Sequence, residues 1–412
     1  MKEKVLNWTQ QFNTFCFLDN HQYQFGPHSQ ECLLAAGIKD KPGTDTTFPD
    51  VQKYIDKKKK TWLFGHLNYD LKNDPGRAAS RHQDKIQFPE FFFFEPLVVI
   101  GLNEKELTIE SDSPGKIFDE INKIVLDDVL KTTAEDIIIR NRIQKEEYIA
   151  VINKLKDHIL RGDCYEINYC QEFFSSPVVA DPLQVYKKLS QISPNPFSAL
   201  YRVGDKWLIC ASPERFLKKE GAKLIAQPVK GTSKRTRKNA VSDEKNKMDL
   251  YHSNKDRSEN VMIVDLVRND LSKVCKEGTV MVEELFGIYS FPQVHQMIST
   301  VSGELKDNIS FSDIVRATFP MGSMTGAPKK RVMELIEQYE RTKRGIFSGA
   351  VGYISPNGDF DFNVVIRSIL YNSQSGYLSF LTGSGITFYS DPEKEWEECL
   401  LKAEAMKSVF IK

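Results

Sequence analysis

One stretch decides the fold of this sequence: Ser258-Glu259-Asn260-Val261-Met262-Ile263-Val264-Asp265-Leu266-Val267-Arg268-Asn269-Asp270-Leu271. Its apolar residues recur at positions 263, 266, 267 and 271, which fits the period of a helix better than that of a strand. The stretch is flanked by carboxylates on both sides. It therefore predicts a helix with a buried apolar face and an acidic edge.

Two pairs of acidic residues share the spacing of neighbours on one helix face. Asp256 and Glu259 are three positions apart, and so are Glu395 and Glu398 near the other end of the chain. Two such pairs on two buried helices would form an oxygen-rich site for Mg²⁺, which needs only one or two carboxylates beside substrate and water oxygens. The alternative is that both pairs are ordinary solvated helix faces.

Composition excludes several classes of protein. The 412 residues include 56 basic and 56 acidic ones, a balance that gives no reason to expect nucleic acid as a partner. The seven scattered cysteines favour neither a disulfide framework nor a zinc site. No signal peptide pattern and no long apolar run are present, so we expect a cytoplasmic chain without a membrane partner.

The pattern of short apolar runs predicts an α+β protein with two regions, 1–140 and 141–412. Strands are predicted at 15–18, 62–67, 91–100, 107–110, 164–174, 199–203, 207–211, 223–226, 279–285, 345–354, 363–370 and 377–382. Besides 258–271, helices are predicted within 111–138 and at 148–160, 182–192, 311–318, 329–339 and 395–409. The polar, basic segment 230–249 is interpreted as a mobile loop.

Two residues next to predicted strands have the chemistry of acid–base or covalent catalysis. Glu214, in Ser-Pro-Glu-Arg-Phe, follows an apolar strand, where partial burial would raise its pKa and suit it to act as a general acid. Lys230, in Pro-Val-Lys-Gly-Thr, follows another strand, where loss of its proton would make it a nucleophile. For each residue, a surface ion pair is the alternative.

Further candidates come from polar residues in apolar or glycine-rich surroundings. Arg367, inside a predicted strand, either pairs internally or holds a carboxylate, and His295 is either a core histidine or a proton carrier. The segment 321–328, which contains Thr325, lacks the spacing of a nucleotide P-loop but offers backbone N–H groups to an anion. The segment 382–386 is interpreted as a second turn with exposed backbone. Together these candidates suggest a small substrate with several negative charges.

At these residues the chain resembles the chorismate-utilising enzymes, a family that includes anthranilate synthase component I and isochorismate synthase. The resemblance covers most of the last two-thirds of the chain, including Ser-Pro-Glu-Arg-Phe at 212–216, the run 259–271, Phe-Pro-Met-Gly-Ser-Met-Thr-Gly-Ala-Pro-Lys at 319–329 and Gly-Ser-Gly-Ile at 383–386. It implies a large sandwich of two β-sheets with helices outside, of the anthranilate synthase component I type.

The resemblance also implies roles for particular residues. Glu259 and Glu398 would be the Mg²⁺ ligands, with Asp256 and Glu395 as acidic neighbours. Lys230, Glu214 and His295 would be catalytic. Substrate contacts would come from Gly231, Thr232, Thr325, Tyr353, Arg367, Gly383, Ser384, Gly385 and Lys402, with Tyr353 and Arg367 on the enolpyruvyl carboxylate.

Lys230 resembles the lysine of family members that make 4-amino-4-deoxychorismate, where it attacks C2 of chorismate before ammonia attacks C4. The resemblance then implies a separate glutamine amidotransferase subunit as the source of ammonia. Position 166 is a lysine in members that use water and most often glutamine in those that use ammonia, whereas this chain has Glu166. The alternatives are an enzyme that forms anthranilate and pyruvate, and a catalytically idle chorismate-binding subunit.

Overall fold

The computed structural model describes residues 1–23, 31–43, 47–71, 80–126, 137–236, 239–291 and 294–411. Its strands are β1 Thr14–Asp19, β2 Cys32–Asp40, β3 Leu63–Leu67, β4 Phe91–Leu102, β5 Leu107–Glu110, β6 Arg140–Asn141, β7 Glu166–Ser175, β8 Phe197–Val203, β9 Lys206–Ser212, β10 Arg215–Glu220, β11 Lys223–Gln227, β12 Val229–Lys234, β13 Met281–Ser290, β14 Val294–Glu304, β15 Gly326–Ala327, β16 Ala350–Ile354, β17 Phe360–Asn363, β18 Ser368–Asn372 and β19 Tyr377–Ile386. The α-helices are α1 Lys2–Trp8, α2 Phe48–Lys57, α3 Pro114–Lys123, α4 Lys145–Leu160, α5 Pro182–Ile192, α6 Ala240–His252, α7 Asn254–Ser272, α8 Phe311–Thr318, α9 Lys329–Tyr339 and α10 Pro392–Ser408.

The described strands form two sheets that share β4, and every pairing between them is antiparallel. In the first sheet the order is β5–β4–β2–β1–β8–β9–β18–β19–β7, and both β6 and β15 pair with the other edge of β7. In the second sheet the order is β4–β3–β16–β17–β10–β11–β14–β13, and β12 follows β11 along the same edge of β14. The predicted α+β class is confirmed.

The two sheets face each other across a shared apolar core, as the predicted sandwich requires. His66 of β3 bonds through Nδ1 to the hydroxyl of Tyr201 of β8, 2.9 Å away, and both side chains are fully buried. Apolar residues of the facing strands merge with those of α2, α7 and α8 in one cluster. A second cluster joins the opposite face of the first sheet to helices that include α1, α4, α5 and α10. Helices therefore cover the sandwich from outside.

The helix predicted at 258–271 is confirmed as the main part of α7, whose residues Ile263 and Leu271 are fully buried. Ser253 caps its first turn by accepting a hydrogen bond from the backbone N–H of Asp256 at 3.3 Å. The predicted helices at 311–318 and 329–339 match α8 and α9.

Three predictions of local structure were wrong. The segment 230–249 is not a loop where it is described, because it contains the end of β12 and most of α6, which Asn239 caps. The strand predicted at 363–370 is interrupted, since β17 ends at Asn363 and β18 begins at Ser368. The segment 382–386 is not a turn, because it is the last part of β19. Its bonds to β7 satisfy the backbone that had been expected to be exposed.

Strands from either side of residue 140 pair with one another, β1 with β8 and β3 with β16. The division into regions 1–140 and 141–412 stays a prediction, and residues 127–136 near that boundary lie outside the described part. All seven cysteines are buried and none forms a disulfide. None of the described helices is both long enough and apolar enough to span a membrane.

Candidate active site

Lys230 lies on β12 at the point where the ladder between β12 and β14 is irregular. Gly231 follows it with a φ of 91°, a conformation that favours glycine, and the pairing with β14 shifts between Val229 and Thr232. The bulge directs the lysine side chain inward, where only 10% of it is exposed. Its Nζ donates a hydrogen bond to Oε1 of Glu166, 2.6 Å away on β7. The lysine thus connects the second sheet to the first.

A glycine on the strand next to β7 leaves room for this pair. A Cβ atom on Gly385 would lie 2.7 Å from Oε1 of Glu166 and 2.8 Å from Nζ of Lys230. Residue 385 pairs with Asn168 in the ladder between β19 and β7, so its position is fixed by the sheet. A larger side chain would displace one partner or the other. The structure therefore brings Gly385 and Lys230 together, as expected.

The electrostatic environment keeps Lys230 protonated in the free chain. Burial by itself lowers the pKa of its ammonium group, but the carboxylates of Glu166 and Glu259 outweigh burial and raise that pKa. Glu166 is almost completely buried, and its second oxygen, Oε2, has no hydrogen-bonding partner among the described residues. Sequence reasoning noticed Glu166 only as a departure from a family pattern and did not predict this contact.

Glu214 lies between β9 and β10 and has the environment of a general acid. It is 4% exposed, and burial raises its pKa to about 7, even though the hydroxyl of Ser323 donates a hydrogen bond to its Oε1 at 2.7 Å. Lys230 is close enough to lower the pKa of Glu214. The carboxyl group is therefore partly protonated near neutral pH. Ser323 lies in the glycine-rich segment noted in the sequence, but its role was not predicted.

The two acidic pairs lie on α7 and α10, and a lysine side chain lies between them. The Nζ of Lys255 is 3.9 Å from Oε1 of Glu259 and 3.3 Å from Oε1 of Glu395. Glu395 is buried at the start of α10, which Asp391 caps by accepting hydrogen bonds from two backbone N–H groups. Helices far apart in sequence are thus joined here by opposite charges. Lys255 is a participant that sequence reasoning missed, although its position four residues before Glu259 suggests the contact.

Several carboxylate oxygens in this cluster have no hydrogen-bonding partner in the described part of the chain. They include Oε1 of Glu259 and Oε2 of Glu395, both inaccessible to solvent. Burial raises the pKa of Glu259 to about 7, whereas Lys402 lowers the pKa of Glu398 through an ion pair of 2.7 Å. These are the hard oxygen donors that Mg²⁺ binds.

Among the described residues, no group of three or more acidic, histidine or cysteine side chains is already arranged to hold a metal ion. Instead, the ammonium group of Lys255 lies between the carboxylates of Glu259 and Glu395. Asp256 lies nearer to β12, since a Cβ on Gly231 would be 3.0 Å from its Oδ1. The donor chemistry fits Mg²⁺ once the lysine side chain moves away.

Arg367 is a positive charge without a counter-charge among the residues that the structure describes. It lies between β17 and β18 with a φ of 49°, in the left-handed region that a non-glycine residue rarely adopts. Its guanidinium group has no hydrogen bond or ion pair with any residue that the structure describes. Burial lowers the pKa of Arg367, and no carboxylate offsets that effect. The sequence left two interpretations of Arg367 open. These observations agree better with an arginine that binds the carboxylate of a ligand than with one that is paired internally.

Other predicted site residues have partners within the protein. His295 of β14 is buried and uses both ring nitrogens, Nδ1 with Ser290 at 2.8 Å and Nε2 with Asp243 at 3.3 Å. The Thr325 hydroxyl donates to the carbonyl of Met321. Ser384 contacts the Tyr148 hydroxyl on the helix-covered face of its sheet, opposite to Gly385.

Tyr353 lies apart from Lys230 and Glu214. It borders a cavity of about 590 Å³ between the two sheets, and its ring packs against Trp62 with centroids 5.6 Å apart. Neither Lys230 nor Glu214 borders that cavity. The structure therefore does not bring Tyr353 together with the lysine, and we leave it out of the proposed site. Thr232 is exposed on β12, and Lys402 donates to the carbonyl of Gly383 at 2.9 Å.

A buried ion pair between Arg344 and Glu340 holds together two segments that contribute residues to the site. The guanidinium of Arg344 bonds to Glu340, to the Met324 carbonyl at 2.6 Å and to the Asn168 carbonyl at 2.8 Å. It thereby holds β7 against the glycine-rich segment that carries Ser323. Removing one member of a buried network of this kind costs about 3 to 5 kcal/mol.

A family model described as chorismate binding enzyme matches residues 15–408 of this sequence. The chain belongs to the chorismate-binding enzymes. That match includes every residue of the site described above, and it confirms the resemblance noted in the sequence. The family acts on chorismate, a small dicarboxylic acid, which accords with an arginine that has no counter-charge among the described residues.

Among curated relatives, "Probable aminodeoxychorismate synthase, chloroplastic" of Oryza sativa subsp. japonica is 42% identical over 268 residues, which are 64% of this chain but only 30% of the rice protein. "Aminodeoxychorismate synthase component 1" of Bacillus subtilis (strain 168) is 31% identical over 379 residues, 88% of this chain and 78% of that protein. Other relatives carry the name anthranilate synthase component 1. The names of relatives therefore agree on the family and differ on the product.

Comparison with solved structures confirms the fold. The crystal structure of anthranilate synthase component I from Streptococcus pneumoniae TIGR4 superposes with a TM-score of 0.79 at 22% identity, covering 94% of both chains. At that identity the likeness concerns the architecture alone. The large two-sheet sandwich expected from the resemblance is thus the fold of this chain.

Proposed function

We propose that this chain is an aminodeoxychorismate synthase component I, which converts chorismate and ammonia into 4-amino-4-deoxychorismate. The observation that supports it most is the pairing of a buried lysine with a buried acid, Lys230 and Glu214, each close enough to shift the pKa of the other. A lysine is the nucleophile that this route requires. The relatives from rice and Bacillus subtilis carry the corresponding name.

In the proposed mechanism, the amine of Lys230 attacks C2 of chorismate while the hydroxyl group at C4 leaves. Glu214 donates the proton with which that hydroxyl departs as water, a role that agrees with a pKa of about 7. Ammonia then forms the bond to C4, and the bond from C2 to Nζ breaks with its electrons returning to Lys230. Because Lys230 is protonated in the free chain, its proton has to leave for solvent as substrate binds.

Charge would hold the substrate in place. Arg367 supplies a guanidinium for one carboxylate, and a bidentate contact would repay the cost of burying that cation. Glu259 and Glu398 would hold Mg²⁺, with Asp256 and Glu395 beside them. The ion would supply positive charge that neutralises the other carboxylate of chorismate. Backbone groups of Gly231 and Gly383 to Gly385 would line the remaining surface.

Ammonia would come from a separate glutamine amidotransferase subunit, and free ammonium could replace it in vitro. The second candidate is anthranilate synthase component I, which releases pyruvate, because relatives with that name match over comparable lengths. Lys230 favours the first candidate, since anthranilate formation needs no lysine at this position. A catalytically idle binding subunit is disfavoured, because it would need neither Lys230 nor a protonated Glu214.

Incubation of the purified chain with chorismate, Mg²⁺ and a high concentration of ammonium tests these candidates. We expect aminated chorismate without pyruvate, measured by mass spectrometry and a coupled pyruvate assay. Anthranilate with pyruvate would favour the second candidate. Absence of any product, with chorismate bound, would favour the idle subunit.

A further inference from the structure

A small cavity borders Glu214 and lies between α7, β10 and the segment 318–323. Its volume is about 30 Å³, and its wall includes Glu214, Ser323 and Asp270 of α7. Lys230, which is close enough to Glu214 to lower the pKa of that acid, is not part of this wall. Glu214 therefore meets two separate regions, the proposed nucleophile and this cavity.

The cavity has the size and the polar groups that water requires. A buried water molecule needs a space of about 10 to 15 Å³ and about two to four polar partners. Glu214 and Asp270 bring carboxylates to the wall and Ser323 brings a hydroxyl, whereas most of the other wall residues are apolar. Water in this space would therefore have the two carboxylates as its main partners and would connect them.

Asp270 links the cavity to the surface of the protein. Its Oδ1 accepts a hydrogen bond from Nζ of Lys273 at 2.8 Å, and its Oδ2 accepts one from Nζ of Lys329 at 2.7 Å. Asp270 itself is buried, but the side chain of Lys273 is half exposed. Asp270 and Lys329 both belong to the stretches 259–271 and 319–329 that carry the family resemblance, and the proposed function gives neither of them a role.

Glu214 needs a route by which its proton returns. In the proposed mechanism it gives up one proton with each leaving hydroxyl, yet the residue is only 4% exposed. The Ser323 hydroxyl already donates a hydrogen bond to its Oε1, and Lys230 is occupied as the nucleophile. The substrate would cover the side of the acid that faces the lysine. The cavity offers an approach to Glu214 that stays open while the substrate is bound.

We propose that Asp270 and water in this cavity return a proton to Glu214 after each turnover. The inference rests on the proposed function and explains how its general acid is restored. Asp270 does not touch the substrate and acts only through Glu214. The two lysines keep its carboxylate at the boundary between the cavity and solvent, where protons are exchanged.

The transfer balances without any further reactant. After the hydroxyl has left as water, Glu214 is a carboxylate. Asp270 takes a proton from solvent and passes it to the cavity water, which at the same time gives one of its own protons to Glu214. The water and the Asp270 carboxylate thereby return to their initial forms. One proton from solvent is consumed for each hydroxyl that leaves.

Asp270→Asn tests this route, because the variant keeps the size of the side chain and an acceptor for one lysine but cannot carry a proton. Below neutral pH, Glu214 begins the experiment mostly protonated, since its pKa is about 7. In rapid-quench kinetics with saturating chorismate, Mg²⁺ and ammonium, we expect the first turnover of the variant to keep the wild-type rate. Later turnovers should be slower by about tenfold or more, within the factor of about 100 to 10,000 that general acid catalysis contributes. The product should then appear as a burst.

Val267→Ile is a second variant, because it adds a methylene group to the wall of the cavity and leaves Asp270 intact. We expect the same burst, since the added group takes space from the water. Asp265→Asn removes an exposed carboxylate from the same helix and should behave like the wild type. Circular dichroism checks that the variants fold, and Val267→Ile decides alone if Asp270→Asn does not.

Slowing of the first and later turnovers by the same factor would overturn the inference, because Asp270 would then only support the structure. An unchanged steady-state rate in both Asp270→Asn and Val267→Ile would overturn it as well. Either result leaves the proposed function standing, since the wild-type chain still forms the aminated product. Absence of aminated product from the wild-type chain would overturn both.

Discussion

Gly385 on β19 and Lys230 on β12 belong to different sheets, yet a Cβ atom on residue 385 would lie 2.8 Å from the lysine Nζ. Real Cβ atoms essentially never come so close to another heavy atom. The absence of a side chain at 385 is therefore what lets the lysine reach Glu166. Adding a single methyl group at residue 385 therefore tests whether the geometry around Lys230 matters for turnover.

Replacing Gly385 with alanine should lower kcat by about a hundredfold, a typical loss when a reacting group is displaced by about 1 Å. The φ of Gly385 is not in the left-handed region, so alanine fits the backbone and the fold should persist. Steady-state kinetics and thermal unfolding check these expectations. Gly115→Ala is the control, because a Cβ there would meet no atom within 4 Å. Full activity of Gly385→Ala would show that Lys230 tolerates displacement.

Replacing Lys230 with methionine should abolish amination and also destabilise the fold, because the buried Glu166 carboxylate loses its counter-charge. The expected cost is about 3 kcal/mol in the free energy of unfolding. The double variant Lys230→Met with Glu166→Gln removes that charge and should regain most of the stability without regaining turnover. Chemical denaturation and product assays measure the two effects separately. Lys234→Met, at the exposed end of the same strand, should change neither.

Activity of the double variant would disprove a nucleophilic role for Lys230. If both variants fail to fold, their circular dichroism spectra will differ from that of the wild type. In that case Lys230→Arg is the variant to use, because it keeps the charge while removing the amine. We expect Lys230→Arg to fold and to be inactive, since a guanidinium stays protonated and is a poor nucleophile.

The pKa of Glu214 predicts how activity and stability depend on pH. The pKa is about 7 in the folded chain, against an ordinary value of 4.5. A raised pKa means that the folded chain favours the protonated acid, so its stabilising contribution is complete below about 4.5 and is lost as the pH rises through about 7. Turnover should also decline as the pH rises through about 7, which gives the rate profile an alkaline limb. The deprotonated form of Glu214 cannot protonate the leaving hydroxyl.

Ser323→Ala tests that assignment. The Ser323 hydroxyl donates to Glu214 and lowers its pKa, so removing the hydroxyl should shift the alkaline limb of the rate profile to higher pH. Glu214→Gln should be inactive and should lose the corresponding pH dependence of unfolding. An alkaline limb that stays in place in Ser323→Ala would assign that limb to a different group. Ser312→Ala, which removes a buried hydroxyl of α8 instead, is the control.

The elements that local periodicity determines were predictable from the sequence. The apolar spacing of α7 and the Ser310 cap of α8 act within a few residues, and α7, α8 and α9 lie where the pattern put them. Glu259 of α7 and Glu395 of α10 lie 3.9 and 3.3 Å from Nζ of Lys255, a meeting of two helices that the spacing within each helix could not reveal.

Predictions failed where tertiary contacts decide the backbone. The Gly-Ser-Gly run ending at Gly385 is typical of a turn, but it is held in β19 by its pairing with β7. Arg367 interrupts a strand with a φ of 49°, a strain that no local pattern reveals. The role of Tyr353 in substrate binding stays a prediction, and its side chain borders the cavity between the sheets.

The last prediction concerns Lys255, whose ammonium group lies between Glu259 and Glu395 at 3.9 and 3.3 Å. It occupies the place of a cation among carboxylates, so a divalent ion has to displace it. Replacing Lys255 with methionine should therefore tighten binding of Mg²⁺ and Mn²⁺ about fivefold, since the ion no longer has to break an ion pair worth about 1 kcal/mol.

Isothermal titration with Mg²⁺ and electron paramagnetic resonance of bound Mn²⁺ measure this affinity without any turnover. Lys330→Met removes an exposed charge from α9 and controls for the change in net charge. Glu259→Gln should weaken the same binding, because it removes the charge of a buried carboxylate whose Oε1 has no hydrogen-bonding partner among the described residues. Unchanged affinity in Lys255→Met would place the divalent ion away from these helices. Weaker affinity would mean instead that the lysine helps to position Glu259 and Glu395 for the ion.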